Sequence, residues 1–195
     1  MLVLGVLYLF LPSKLVIGPN WLLLVIEAAL ILPFVIALTT QRSLPHGLIR
    51  IAALVTLGIT TLALAIGIAL LVSSLTEPTT KGLNLLRSAG ILWVFNILVF
   101  ALWYFEIDGG GPLKRHLAAP QATDFLFPQY APGSNSAWKP QFLDYVFLAF
   151  NSSTALSPAD TQPLTKKAKT LMMIQAVFSL VVIVLLAARA VNILA

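Results

Sequence analysis

Residues 141–160 read Q-F-L-D-Y-V-F-L-A-F-N-S-S-T-A-L-S-P-A-D, an apolar stretch that passes into a polar run. The segment 142–154 predicts a helix of roughly 13 residues, about 20 Å long at 1.5 Å per residue. That length covers only about two-thirds of a ~30 Å hydrocarbon core. Non-helical backbone is tolerated at membrane depth only where protein or a water-filled cavity satisfies it. The stretch therefore predicts a re-entrant half-membrane helix and a polar loop.

The sequence on both sides of this stretch is that of a membrane protein. Of its residues, 59% are hydrophobic and only 10% are charged, and the mean hydropathy is +0.95. A soluble domain needs more charge on its surface than this, and the apolar residues fall in unbroken runs. The predicted spans are 21–39, 48–75, 85–104 and 168–194. The apolar run within residues 1–17 is too short to be assigned as a membrane span, so this segment is left open. The expected fold class is an all-α membrane protein with four to five transmembrane helices and a re-entrant half-membrane pore helix before the last span.

Several function classes are excluded or disfavoured by composition. The absence of cysteine excludes disulfides, thiolate metal sites and a cysteine nucleophile. Only two histidines, His46 and His116, are present, which argues against a histidine-rich metal cage. The net charge of +5 fits contact with anionic lipid headgroups better than nucleic-acid binding. Glu106, Asp108 and Asp124 can cluster at the interface, but no nucleophile–base pair or metal-ligand spacing accompanies them. We expect no enzyme activity, no catalytic residue and no metal site.

Residues inside or between the spans give further expectations. Glu27 lies within the first clear span, where an ionisable side chain is a functional candidate by default; the other reading is a group bonded to a neighbour near the interface. Asn96 and Gln175 predict hydrogen bonds between helices, and the small residues Ala63 and Gly67, with Gly58 before them, predict close approach of a neighbouring helix. Trp103 and Tyr104, at the end of the third span, are expected in an interfacial aromatic belt. The proline- and aromatic-rich segment 107–141 predicts a folded surface cap.

The residues that follow the half-membrane helix resemble the two-helix potassium channels. Thr154-Ala155-Leu156-Ser157-Pro158-Ala159-Asp160, then Pro163-Leu164-Thr165 and Lys169-Thr170-Leu171, are similar to the family's T-T-V-G-Y-G-D filter, its P-V-T and the start of its inner helix. The similarity continues to Leu185-Leu186-Ala187-Ala188-Arg189. It implies a pore-like module over 81–195, after N-terminal transmembrane helices in 1–80. Within this module the resemblance implies an outer helix at 85–105, the cap at 107–141, a pore helix at 142–154, a filter-like loop at 155–161 and an inner helix at 168–194.

This filter-like loop departs from the family pattern. Ser157 and Ala159 replace two glycines, whose backbone conformations are cheap only for glycine, and Pro158 replaces the tyrosine. In one reading the hydroxyls of Ser153, Thr154 and Ser157, with Asp160, line a wider cation pathway. In the other reading these residues cap helix ends in a protein that does not conduct, with Ser157 as N-cap and Asp160 at N3.

The sequence thus predicts passive cation permeation through a homotetrameric pore with a non-standard filter. The alternative is a non-conducting membrane scaffold or accessory subunit. We expect a multi-pass protein of the plasma (inner) membrane, with the lipid bilayer and further copies of the chain as partners and no cofactor other than a monovalent cation. Family precedent places the loop outside, although the positive-inside rule favours the reverse. The candidate site residues are Asn151, Ser152 and Ser153 of the pore helix, Thr154, Ala155, Leu156, Ser157, Pro158, Ala159 and Asp160 of the loop, and the intramembrane acid Glu27.

Overall fold

The computed structural model describes residues 1–39, 45–74, 82–130, 138–154 and 160–194. It is 79% helical. The helices are α1 (Leu2–Leu9), α2 (Leu22–Thr39), α3 (His46–Ser73), α4 (Gly82–Ile107), α5 (Pro112–Leu117), α6 (Phe142–Ser153) and α7 (Lys166–Leu194), with short strands β1 (Phe125–Leu126) and β2 (Gln162–Pro163).

Three of these helices, α3, α4 and α7, are long and apolar enough to cross a bilayer within the described residues. Their length and composition support a multi-pass α-helical membrane protein, as the sequence predicts. In α2 the apolar stretch that qualifies, Leu22–Leu32, is shorter. The prediction of a fourth or fifth span therefore stays a prediction.

The chain divides into two compact units, one formed by 1–95 with 181–195 and the other by 96–180. In the first unit α1 has only 8 residues, about 12 Å, and packs on α2. The Asn20 side-chain amide donates to the Leu11 carbonyl at 2.6 Å, which holds the turn between these helices. Residues 1–17 therefore do not form one spanning helix.

Close helix approach occurs at Gly67, as its sequence context predicts. A Cβ atom at Gly67 would lie 3.1 Å from Cδ2 of Leu92 in α4, which is tighter than ordinary van der Waals contact. Gly58, in the same helix, has nothing within 4 Å of such an atom. Gly67 thus permits close packing, whereas Gly58 faces open space and takes no part in it.

The second unit contains the end of α4, the described parts of the cap, α6 and the first half of α7. Strand β1 of the cap pairs antiparallel with β2, which precedes α7, and Phe125 lies opposite Pro163. Aromatic rings pack the cap: Phe127 lies 5.6 Å from Trp138 and 5.4 Å from Tyr145, centroid to centroid. The cap segments are therefore folded on α6 through side chains as well as through the strand pair.

Two predictions about this unit are wrong. No helix has Asp160 at its N3 position, because residues 160–165 are non-helical and include β2; the backbone N–H of Ala168 instead meets the Thr165 hydroxyl at 3.4 Å, at the start of α7. The ring of Tyr104 does not face the lipid, as a residue of an aromatic belt would. It is fully buried, and its hydroxyl donates to Gln175 inside the unit.

Candidate functional site

Helix α6, which the sequence predicts to be a half-membrane helix, has 12 residues, about 18 Å. A capping box begins it: the Gln141 backbone N–H donates to the Asp144 carboxylate at 2.7 Å, and the Gln141 side chain accepts from the N3 backbone. This arrangement satisfies backbone donors that the first turn of a helix leaves open, and it places an acid where the helix dipole is positive. Helix α6 therefore has a fixed start directly after Pro140.

Buried hydrogen bonds join α6 to α4 and α7. Gln175 of α7 donates from Nε2 to the Ala149 carbonyl of α6 at 2.8 Å and accepts from the Tyr104 hydroxyl of α4 at 2.5 Å. One turn further along α7, the Ser179 hydroxyl oxygen accepts from the Asn96 amide at 2.5 Å. The predicted inter-helix bonds of Asn96 and Gln175 are thus confirmed. Ser179 is therefore bonded to a neighbouring helix.

The C-terminal end of α6 carries the predicted polar run. Ser152 and Thr154 donate to carbonyls of their own helix, Leu148 at 2.8 Å and Phe150 at 3.1 Å. Ser153 is different: its side chain is 1% exposed, and its hydroxyl has no hydrogen-bond partner among the described residues. The helix dipole makes this end of α6 electronegative. It therefore offers hydroxyl and carbonyl oxygens of the kind that coordinate hard cations.

Most of the predicted filter-like loop lies outside the described residues, namely Ala155, Leu156, Ser157, Pro158 and Ala159. The structure describes both neighbours of this segment. Thr154 is half-buried at the end of α6, with Asn151 and Ser152 half-buried before it, and Asp160 is exposed. The shared cation pathway of Ser153, Thr154, Ser157 and Asp160 remains a prediction.

The buried carboxylate of Asp108 holds the cap and α6 together, a structural role that the sequence did not predict. Asp108, at the end of α4, accepts on Oδ1 from the Thr123 hydroxyl at 2.6 Å and from the Asp124 backbone N–H at 3.0 Å. Its Oδ2 accepts from the Tyr145 hydroxyl of α6 at 2.5 Å. Asp108 therefore ties the cap to α6. The signal available in the sequence was an acid directly before Gly109-Gly110-Gly111, where a helix must end.

Asp124 extends this network to α7. Its Oδ2 accepts from the Gly109 backbone N–H at 3.2 Å, and its Oδ1 accepts from the Thr165 hydroxyl at 2.6 Å, with Lys167 Nζ at 3.6 Å. Gly109 has a φ of +61°, a conformation that side chains disfavour. The oxygens of Asp108 and Asp124 are thus occupied by protein donors. Within the described residues no group of three or more His, Cys, Asp or Glu side chains is placed to hold a metal ion.

Arg115 of α5 packs against the same network. One guanidinium nitrogen donates to the Phe105 carbonyl at 3.0 Å and to the Asp108 carbonyl at 2.8 Å, which satisfies the end of α4. The guanidinium also lies 4.8 Å from the ring centre of Phe105. Burial, and then the Asp108 charge, raise the pKa of the Tyr130 phenol in the cap above its ordinary value of 10.0, so this hydroxyl stays protonated at physiological pH.

Glu27, predicted to be an intramembrane acid, belongs to the other unit. It is fully buried, and its Oε2 accepts from the Gly5 backbone N–H at 3.1 Å. A Cβ at position 5 would lie 2.7 Å from Cα of Leu24, so only glycine permits this contact. The structure therefore places Glu27 in a bond between α1 and α2. Its Oε1 has no hydrogen-bond partner among the described residues.

Comparison of this chain with family models, with curated proteins and with solved structures finds no match. The resemblance to two-helix potassium channels therefore rests on the quoted residues, and the class defined by the fold is that of a multi-pass α-helical membrane protein.

Proposed function

We propose that this protein is a channel-like, pore-loop protein of the plasma (inner) membrane, and that four copies form a pore for passive cation permeation. The observation that carries the proposal is α6: a helix too short to span a bilayer, bonded through Ala149 to a buried glutamine of α7, and ending in a polar run. A short helix that stops inside a membrane needs water or protein around its free end. A pore entrance supplies both.

The chemistry at the free end of α6 favours a cation. The helix dipole is negative there, the Ser153 hydroxyl has no partner among the described residues, and Asp160 begins the described chain on the other side of the loop. Rings of carbonyl, hydroxyl and carboxylate oxygens select cations in channels. Because the family's filter glycines are absent, we propose a pathway in which the cation keeps part of its water.

The surface of α7 supports assembly from several chains. Among its described residues, the buried side chains form a narrow stripe: Ala168, Gln175, Ser179 and Val182. Only 17% of the most apolar 18-residue stretch of α7 is buried. The remaining apolar surface is available to lipid and to further copies of α7. One chain supplies one loop, so a closed ring is required for a pore, and cyclic symmetry is the usual way to obtain one.

Cation flux into liposomes tests this proposal. We expect purified protein to carry a K⁺ or Na⁺ current, and Asp160→Asn to lower it by about threefold or more, because a ring of carboxylates concentrates cations at a pore mouth. Asp144→Asn, at the opposite end of α6, is the matched control and should leave the flux within about twofold of wild type.

Particle symmetry separates conduction from the scaffold alternative. A fourfold ring with residues 154–160 at its axis would support the pore. A monomer or twofold dimer that carries no cation flux at any voltage or pH would contradict it and would favour a non-conducting accessory subunit.

A further inference from the structure

A groove in the second unit combines basic and apolar side chains. Its volume is about 590 Å³, and its lining includes Arg115, His116 and Lys139 together with Phe105, Leu113 and Phe142. Among the residues that the structure describes, no acidic side chain is part of this lining. The volume lies within the range of small-molecule sites, roughly 300–1,000 Å³. It is sufficient for a polar headgroup of lipid size.

The two permanent cations of the groove are held in place but are not neutralised by a salt bridge. Arg115 is oriented by the Phe105 and Asp108 carbonyls, and Lys139 donates to the His116 carbonyl at 2.6 Å. A lysine ammonium has three donors, so this bond leaves two for a ligand. In the described part of the chain neither cation pairs with a carboxylate. The groove therefore has an electrostatic preference for an anion.

The apolar half of the groove continues onto exposed hydrophobic surface. Leu113 is 42% exposed, and Leu143, which follows Phe142 in α6, is 74% exposed. The groove also lies where the apolar sequence of α4 gives way to the basic residues of α5, which is the pattern of a membrane–water interface. A ligand that satisfies both halves must be an amphiphile with an anionic head.

We infer that this groove, defined by Phe105, Leu113, Arg115, His116, Lys139 and Phe142, binds the phosphate headgroup of an anionic phospholipid, with an acyl chain against Leu113 and Phe142. Lys139 and Arg115 supply charge and hydrogen-bond donors to the phosphate, since lysine and arginine near an anionic lipid surface each contribute favourably. Lipid binding at this site depends only on the groove, so its test does not depend on whether the protein conducts cations.

Titration of the detergent-solubilised full chain with short-chain phosphatidylglycerol, followed by native mass spectrometry, tests the inference. We expect phosphatidylglycerol to bind and phosphatidylcholine to bind about tenfold more weakly. Lys139→Gln should weaken phosphatidylglycerol binding about fivefold. Lys114→Gln is the matched control, because Lys114 lies on α5 beside Leu113 and Arg115 but is not part of the groove lining; it should change binding less than about twofold.

Two further measurements test whether the ligand is a lipid or free phosphate, and whether a second variant of the groove also loses binding. Leu113→Glu places an acid in the groove from an exposed position and should reduce phosphatidylglycerol binding more than Lys139→Gln does. Inorganic phosphate should not displace the lipid, because it cannot use the apolar half. Displacement by inorganic phosphate, equal binding of the two lipids, or equal losses in Lys114→Gln and Lys139→Gln would each overturn the lipid site.

Discussion

Individual carboxylates in this protein have different structural roles. Glu27 bonds α1 to α2, Asp144 caps α6, and Asp108 collects three donors from the cap and α6. The difference lies in burial and in the number of donors each acid satisfies. A buried acceptor that serves several donors contributes more than an exposed one, because its removal leaves each of those donors without a partner.

Substitution of Asp108 should therefore be costly. We expect Asp108→Ala to lower the free energy of unfolding by about 3 kcal/mol, since three buried donors lose their acceptor. Asp108→Asn keeps one acceptor oxygen and should cost about half as much. Asp144→Ala, which removes a single exposed cap, should cost about 1 kcal/mol. Thermal unfolding in detergent, followed by tryptophan fluorescence, measures the series. Equal effects of Asp108→Ala and Asp144→Ala would show that the Asp108 network does not stabilise the unit.

At the scale of helices, packing depends on where small residues lie and not only on their presence. Gly67 and Gly58 are both in α3, yet only Gly67 has a neighbouring helix within contact distance. Membrane helices approach closely where a small residue faces the partner backbone or side chain. The glycine pair thus allows a controlled comparison within one helix.

Gly67→Leu should destabilise the protein by about 2 kcal/mol, because the new side chain must displace Leu92 of α4. Gly58→Leu meets open space and should stay within about 0.5 kcal/mol of wild type. The measurement is again thermal unfolding in detergent. If the two variants melt together, the contact between α3 and Leu92 is not limiting for stability.

Some helices of this protein can be predicted from the sequence and others cannot. Unbroken apolar runs predict α3, α4 and α7 well, because burial in lipid imposes length and composition. The apolar run that follows Pro140 likewise predicts the start of α6 at Phe142, where the structure has it. The start of α7 was predicted within two residues, whereas the helix start read from Ser157 and Pro158 does not continue past Asp160, because β1 and Asp124 hold residues 162–165 in non-helical pairing.

The candidate site was only partly accessible for a similar reason. A polar run after a short apolar helix is visible in sequence, so Asn151 to Thr154 could be named. The contacts of Gln175 with Ala149 and Tyr104 join residues 26 and 71 positions apart. No local pattern specifies such pairs. The basic groove was invisible for the same reason, because it is assembled from α4, α5 and the start of α6.

For the whole molecule, membrane topology depends on whether α2 spans. If α2, α3, α4 and α7 all cross, then residues before α2 and the cap lie on opposite sides of the membrane. If only α3, α4 and α7 cross, they lie on the same side. The absence of native cysteine makes this question directly measurable.

We expect Gln121→Cys in the cap to react with a membrane-impermeant maleimide in intact cells, and Ser13→Cys to react only after permeabilisation. Both positions are exposed in the structure, so access by the reagent is not limited by burial. The unsubstituted chain is the background control. Labelling of both positions from outside would contradict a spanning α2, and the reverse pattern would contradict the outward loop.

The strand pair between the cap and the segment before α7 has a consequence for chain length. The Leu164 N–H donates to the Asp124 carbonyl at 2.9 Å, while the Gln175 amide fixes α6 at Ala149. Both flanks of residues 155–159 are therefore anchored to the same unit. A segment held in this way has a set distance to bridge, so added or deleted residues must be accommodated locally. In this protein, changes of residue type between Thr154 and Asp160 should be far easier to accept than changes of residue number.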